Sequence, residues 1–300
     1  MKTENTTRLL ITNDLHQFPG KWQRLVEVCE FEQPDFVIVA GDLFEVDICG
    51  SVEASEREFV TNRLPGLLEE IKKQAPACEI VLQMGNDDLH TLEPDLRALE
   101  AAGLCHCLND DVREIRGQWF AGLNRVRDYP FGYKNWVARE KNYVECPVQY
   151  RIRTEAELES HRQRLLSEPS IGERLEALAA KLPDGAMRKS IWLIHQPPRG
   201  IGMAQLQSGE DVGSEDVLAF LETRQPMISC HGHIHESPET PGGMWAIALG
   251  DTLAVQPGQM GNRLHYVMCH ADSAGGVFDI RHSIFGMSAL DLRSPSTPSS

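Results

Sequence analysis

Short apolar runs separated by polar, glycine-containing stretches dominate the first third of the chain. Leu9-Leu10-Ile11 predicts a strand, and the segment from Lys21 to Phe31 places Trp22, Leu25, Val26 and Val28 at helical spacing. Phe36-Val37-Ile38-Val39-Ala40 is apolar without interruption, the pattern of a strand covered on both faces. A helix is expected from Glu53 to Lys73, broken or bent at Pro65-Gly66. Ile80-Val81-Leu82 predicts the next strand and Leu92 to Ala102 the next helix, ending at Gly103. This alternation argues for an α/β fold, a largely parallel sheet with helices packed on it.

The pattern then changes. Trp119-Phe120-Ala121-Gly122 predicts a strand, followed by an aromatic loop from Pro130 to Trp136 whose expected use is packing rather than covering a substrate. Glu155 to Lys181 is charged and helical, divided by Pro169, and Ile191-Trp192-Leu193-Ile194 returns to a buried strand. A helix near Ser214–Thr223, with Ser214 as its cap, precedes several short strands: Met227–Cys230, Trp245–Leu249, Thr252–Val255, Leu264–Cys269 and Val277–Arg281. Glycine and proline between them suggest antiparallel or mixed sheet. The Ser/Pro/Thr tail from Ser294 is expected to be disordered. With no internal repeat or linker, residues 1–293 are expected to form one domain.

Composition narrows the function classes. Hydrophobic residues make up 41% and charged residues 24%, which allows a substantial core. The formal charge of −15 would repel a nucleic-acid backbone, so nucleic acid is not the expected partner, and a small anion needs a locally positive site. Met1 to Thr7 is polar rather than a secretory leader, and nothing approaches the roughly 20 apolar residues that span a bilayer. Eight irregularly spaced cysteines without a CxxC pair read as buried, reduced thiols, and a cytoplasmic location is expected. Cys105-His106-Cys107 has a faint metal-site look, but alternate residues of a strand share a face without having to chelate.

The chemistry lies at the carboxyl ends of the predicted strands. Ile11 runs into Asn13-Asp14-Leu15-His16, Ala40 into Gly41-Asp42, and Leu82 into Gly85-Asn86-Asp87-Asp88. Ile194 runs into His195-Gln196-Pro197-Pro198, and Ile228 into His231-Gly232-His233-Ile234-His235. Loops at these ends converge on one crevice in α/β sheets. Taken singly, an Asp such as Asp14 or Asp88 can cap a helix and a lone His can be satisfied in the core. Five such clusters in series are hard to attribute to capping. Asp and His suit borderline divalent ions, and Asn adds a neutral oxygen. One carboxylate can bridge an ion pair roughly 3.5–4 Å apart that clamps a phosphoryl transfer.

In order and type these blocks resemble the calcineurin-like metallophosphoesterase superfamily: Asp14-Leu15-His16, Gly41-Asp42, Gly85-Asn86-Asp87-Asp88, His195, and Gly232-His233-Ile234-His235. The resemblance implies two mixed β-sheets packed as a sandwich and flanked by helices. It further implies that Asp14, His16 and His235 hold one metal, that Asn86, His195 and His233 hold a second, and that Asp42 bridges them. Two departures stand out. The Asp-Arg-Gly of the protein-phosphatase branch is replaced by Leu43-Phe44-Glu45-Val46-Asp47, which disfavours a phosphoprotein substrate. Asp87 occupies the position where most members carry a His that assists phosphate binding or protonates the leaving group. An ionised carboxylate beside a phosphate is repulsive, so Asp87 must be protonated, turned away or paired.

The expected activity is therefore hydrolysis of a small phosphorylated substrate, a phosphodiester in preference to a monoester. The resemblance implies two divalent ions (Mn, Fe or Zn) and in-line attack by a metal-bridging hydroxide. Asp42, Asp87 and His231 are the catalytic candidates, with His231 or His90 as a source of the missing imidazole. Arg199 and His90 are candidate substrate-binding residues. The rivals are a catalytically weakened metal-binding scaffold and a nuclease of the same superfamily. No membrane partner is expected, and the sequence points to no oligomeric state.

Overall fold

The computed structural model describes residues 6–44, 52–129, 136–143, 154–272 and 274–287. Strands β1 (Thr6–Thr12), β2 (Phe36–Ala40), β3 (Glu79–Gln83) and β4 (His106–Cys107) pair in parallel, separated by helices α1 (Pro19–Glu32), α2 (Val52–Glu58), α3 (Leu64–Gln74) and α4 (Glu93–Ala101). Strands β5 (Asp111–Ile115), β6 (Gln118–Leu123) and the short pair β7 (Val126–Arg127) and β8 (Val137–Ala138) follow. Helices α5 (Glu155–Ser167) and α6 (Ile171–Ala179) lead to β9 (Ile191–Ile194), α7 (Glu215–Arg224) and β10 (Ile228–Cys230). The chain then runs through β11 (Ala246–Leu249), β12 (Thr252–Val255), β13 (Val267–Asp272), β14 (Val277–His282) and β15 (Gly286–Met287).

These strands form two large mixed sheets, ordered β15-β14-β13-β1-β2-β3-β4 and β11-β12-β10-β9-β6-β5. Leu9, Ile11, Phe36, Ile38 and Val81 of the first meet Phe120, Ile191, Leu193, Ile228 and Leu253 of the second in one buried cluster. Leu10, Val37, Val39, Ile80 and Leu82 turn the other way, onto Trp22, Leu25, Leu64, Leu68 and Ile71. Ala121, Leu123, Trp192 and Ile194 similarly turn onto Leu175, Leu178, Val217, Phe220 and Leu221. Helices thus cover the outside of a two-sheet sandwich. The unbroken apolar run of β2 follows, because a strand buried on both faces gains about 1.5–3 kcal/mol for each large side chain it hides.

Several expected elements differ in form. The bend at Pro65-Gly66 becomes a π turn over Phe59–Arg63 with Pro65 in the first turn of α3, where its missing N–H is harmless. The later strands take the mixed form of the two that were expected: β9, β10 and β12 are parallel neighbours, while β13 crosses back to pair antiparallel with β1. Strand β5 was hidden by its polar sequence and is turned into β6 by Arg116-Gly117, both in the left-handed region. Pro169 divides α5 from α6, and Ser214 caps α7 by accepting from Val217 N–H (3.1 Å). Cys29, Cys78, Cys105, Cys107, Cys230 and Cys269 are buried free thiols. Cys49, Cys146, residues 130–135 of the aromatic loop and the tail from Ser294 lie outside the described residues.

Candidate metal centre

Five strand ends on the two sheets carry their side chains to one place. Beyond β1 and β2 the two chains stay joined: Asp14 N–H donates to Gly41 O (3.0 Å), His16 N–H to Asp42 O (3.0 Å) and Gln17 N–H to Leu43 O (2.7 Å). Across the second sheet, His195 N–H donates to Leu123 O (3.1 Å) and Gly232 N–H to His195 O (3.1 Å). Asp14, His16, Asp42 and His233 all adopt positive φ, between 47° and 69°. Such backbone costs roughly 1–3 kcal/mol per residue and persists where surrounding bonds fix it. Gly41 has φ 96°, and a Cβ there would lie 2.1 Å from His195 Nδ1, so only glycine lets the imidazole pass.

Asp14, His16, Asp42 and His235 each offer a ligand atom within 4.8 Å of the others, and so do Asp42, His195 and His233. Asp42 belongs to both groups. Asn86 joins the second, its Oδ1 lying 3.0 Å from His195 Nε2. The seven residues expected to hold metal are therefore brought together in one place.

Hydrogen bonds fix which atoms face inward. The carbonyls of Phe44 and Ala40 can only accept, so the protons on His16 and His195 sit on Nδ1 (3.0 and 2.9 Å) and both Nε2 atoms turn into the cluster. There His16 Nε2 lies 3.1 Å from His235 Nε2. His195 Nε2 faces Asn86 Oδ1, Asp42 Oδ2 at 3.2 Å and Asp14 Oδ1 at 4.0 Å. A lone pair aimed at three acceptors is repulsive unless a cation lies between them. Without metal that cation is a proton: burial pulls the His195 pKa down, but Asp42 and then Asp14 outweigh it and raise it to about 10. Burial and the His195 charge push His233 down to about 3. Asp42 is held below the usual carboxylate range, since His195, His16 and the Asp87 N–H (2.9 Å) prevail over burial. This set of imidazole nitrogens, carboxylates and one amide oxygen fits divalent ions of the Mn, Fe or Zn type.

The other expected site residues divide. Asp87 is beside the cluster and accepts from Asn86 Nδ2 (2.9 Å); burial and the Asp42 charge push it up to about 7. His231 is fully buried, with Nε2 against Ser229 Oγ (2.9 Å) and Nδ1 against Ile194 O (2.9 Å). Both nitrogens are occupied in the core, so its placement does not support the imidazole role. His90 is exposed and edge-on to Trp136, and Arg199 is exposed and paired with Glu215 (3.0 Å). Among the described residues no hydrogen bond or ion pair links either to the seven-residue cluster. Asp88 caps no helix; it accepts from the N–H groups of Leu43 (3.0 Å), Phe44 (2.7 Å) and Gly85 (2.8 Å), tying the loops after β2 and β3 together. The Cys105 and Cys107 sulfurs are 3.9 Å apart, but His106 pairs with Glu79 (3.0 Å).

Sequence reasoning missed three supports. Gln256 follows β12 and bridges Asn13 Nδ2 (2.8 Å), Gly232 O (2.7 Å) and Ile234 O (3.1 Å), while Asn13 Nδ2 also donates to Asp14 Oδ2 (2.6 Å). Its signal was available: Val255-Gln256-Pro257-Gly258 is a further strand end running into a polar residue. Lys21 is buried at the start of α1 and donates to Gln259 O (2.9 Å); burial lowers it to about 8 against the pull of Asp14. Glu56 is buried, accepts from Leu89 N–H (3.2 Å) and is pushed up to about 9 by burial and Asp88. No motif marked either residue.

The calcineurin-like phosphoesterase family model matches residues 7–237. The chain belongs to that family. The calcineurin-like phosphoesterase fold recurs in TT1561 of Thermus thermophilus, at 15% identity and a TM-score of 0.55 over 92% of this chain and 98% of that one. A dimetal phosphatase from Danio rerio is similar at 11% identity and a TM-score of 0.53, covering 96% and 98%. GAP50, the anchor in the inner membrane complex of Plasmodium, is similar at 11% identity and a TM-score of 0.50, covering 97% and 90%. At such identities the likeness shows the fold alone. No curated protein matches the chain.

Proposed function

We propose that this calcineurin-like phosphoesterase is a binuclear enzyme that hydrolyses a small phosphodiester. The observation that carries the reading is the shared carboxylate: Asp42 belongs to two ligand groups drawn from both sheets. Asp14, His16, His235 and Asp42 would hold one divalent ion, and Asn86, His195, His233 and Asp42 the other. When bound, the ions supply Lewis acidity and make water more acidic. They also provide the locally positive site that a chain of charge −15 needs for an anion. The remaining work falls to the protein. Phe44 and Ala40 orient the imidazoles, and Asp88 and Gln256 hold the loops at fixed separation.

A singly charged diester suits this site better than a doubly charged monoester. Asp87 brings a carboxyl group, rather than an imidazole, next to Asn86, and Arg199 is committed to Glu215. Buried thiols agree with a reducing, cytoplasmic setting, and no described helix is long and apolar enough to cross a membrane. Manganese is the ion proposed for reconstitution. One feature favours the scaffold reading: Asp87 stands where the resemblance places the usual imidazole proton donor.

The test is turnover by the Mn-reconstituted protein on matched aryl and alkyl mono- and diesters, cyclic nucleotides included. Diester hydrolysis should exceed monoester hydrolysis, and Asp42→Asn should abolish both. A wild-type protein that holds two ions yet turns over none of the panel would overturn the enzyme reading in favour of the scaffold.

A further inference from the structure

Asn124 follows β6 and is fully buried, yet neither its Oδ1 nor its Nδ2 has a hydrogen-bond partner. Its direction follows from the sheet. Leu123 pairs with Ile194, and the His195 N–H bond to Leu123 O carries the parallel ladder one residue further, which sets Asn124 beside His195. Leu123 and Ile194 face the helices α6 and α7, so Asn124 and His195 face the opposite way, toward the first sheet. Gly122 confirms the direction: a Cβ there would lie 2.0 Å from Leu108 O and 2.9 Å from Gln83 Nε2, atoms of the facing layer. Gln83 exploits that gap to brace the sheets, donating to Leu108 O (3.2 Å) and Leu193 O (2.9 Å). Asn124 is thus two residues beyond this brace and, in the ladder, beside His195, whose imidazole meets Asn86 and Asp42.

A buried amide left unpaired costs free energy that a leucine of similar size would avoid. Such a group makes physical sense where something other than the protein completes it. The candidate centre needs neutral donors for an anion, because Arg199 is held by Glu215 and Asp87 already accepts from Asn86. We propose that Asn124 is a substrate-binding residue, its Nδ2 donating to a non-bridging phosphoryl oxygen on the His195–Asn86 side. This rests on the phosphoesterase reading above.

The experiment uses the metal-loaded full chain and inorganic phosphate as the probe. Orthophosphate affinity, bound metal and melting temperature are measured for wild type, Asn124→Leu, Asn124→Ala and Asn124→Asp. In Asn124→Leu both ions should stay bound and the melting temperature should hold or rise, while phosphate affinity falls at least about tenfold. Asn124→Asp should lose more, since a carboxylate cannot donate to an anion, and Asn124→Ala decides the matter if the leucine variant does not fold. Unchanged phosphate affinity in the folded variants, with a lowered melting temperature, would overturn the proposal and leave Asn124 a structural amide. A wild-type protein that binds two ions but no phosphate would instead sink the phosphoesterase reading itself.

Discussion

If the proposed centre takes metal through His195, binding is expected to displace a proton from its imidazole. Its Nε2 faces Asn86 Oδ1 and the carboxylates of Asp42 and Asp14, an arrangement that holds a proton until a metal ion replaces it. The folded, metal-free pKa is about 10 against an ordinary 6.5. The sign follows directly. A raised pKa means that the proton stabilises the metal-free fold fully below about 6.5, and that this contribution is lost as pH rises through about 10. Metal affinity moves the opposite way: at pH 7, about three units below that pKa, competition by the proton weakens binding by about 10³-fold, or about 4 kcal/mol. Titration calorimetry in buffers of different ionisation enthalpy counts the protons released. Between pH 6.5 and 8.5 affinity should rise about tenfold per unit from this group. His195→Gln should release one proton fewer than wild type, with a correspondingly shallower slope. Equal proton counts in wild type and His195→Gln would refute the reasoning, because the displaced proton would then belong elsewhere.

Two further outcomes are expected. Gly41→Ala should destabilise the protein by about 3 kcal/mol or more, combining left-handed backbone strain with displacement of the His195 ring; chemical denaturation measures the loss, and retained stability with two bound ions would count against the packing argument. If Asp87 leaves the site without an imidazole donor, Asp87→His should raise alkyl-ester turnover more than aryl-ester turnover, since donor loss costs about 10²–10⁴-fold mainly for poor leaving groups. The aryl-to-alkyl ratio measures this, and a ratio unchanged by Asp87→His would show that the donor comes from elsewhere.

What the sequence determined by itself was local. The continuous apolar run of β2, the proline between α5 and α6, and the Ser214 cap each act over a few residues, so their consequences can be read along the chain. The convergence of the candidate ligands was legible for the same reason: each motif ends a strand, and strand ends in such sheets converge. Tertiary structure decided everything that depends on distant partners. β13 crosses back to β1, and β5 forms in spite of its polar sequence because β6 supplies its ladder. His231 and His233 are two residues apart in nearly the same local sequence. One is sealed in the core by Ser229 and Ile194 O, whereas the other meets Asp14 through its backbone N–H (3.1 Å). Their difference lies in the backbone: His233 sits at φ 69°, and its neighbour Gly232 is joined to His195 O. Lys21, Glu56 and Asn124 show the same limit, because burial and missing or long-range partners leave no mark in the spacing of a sequence.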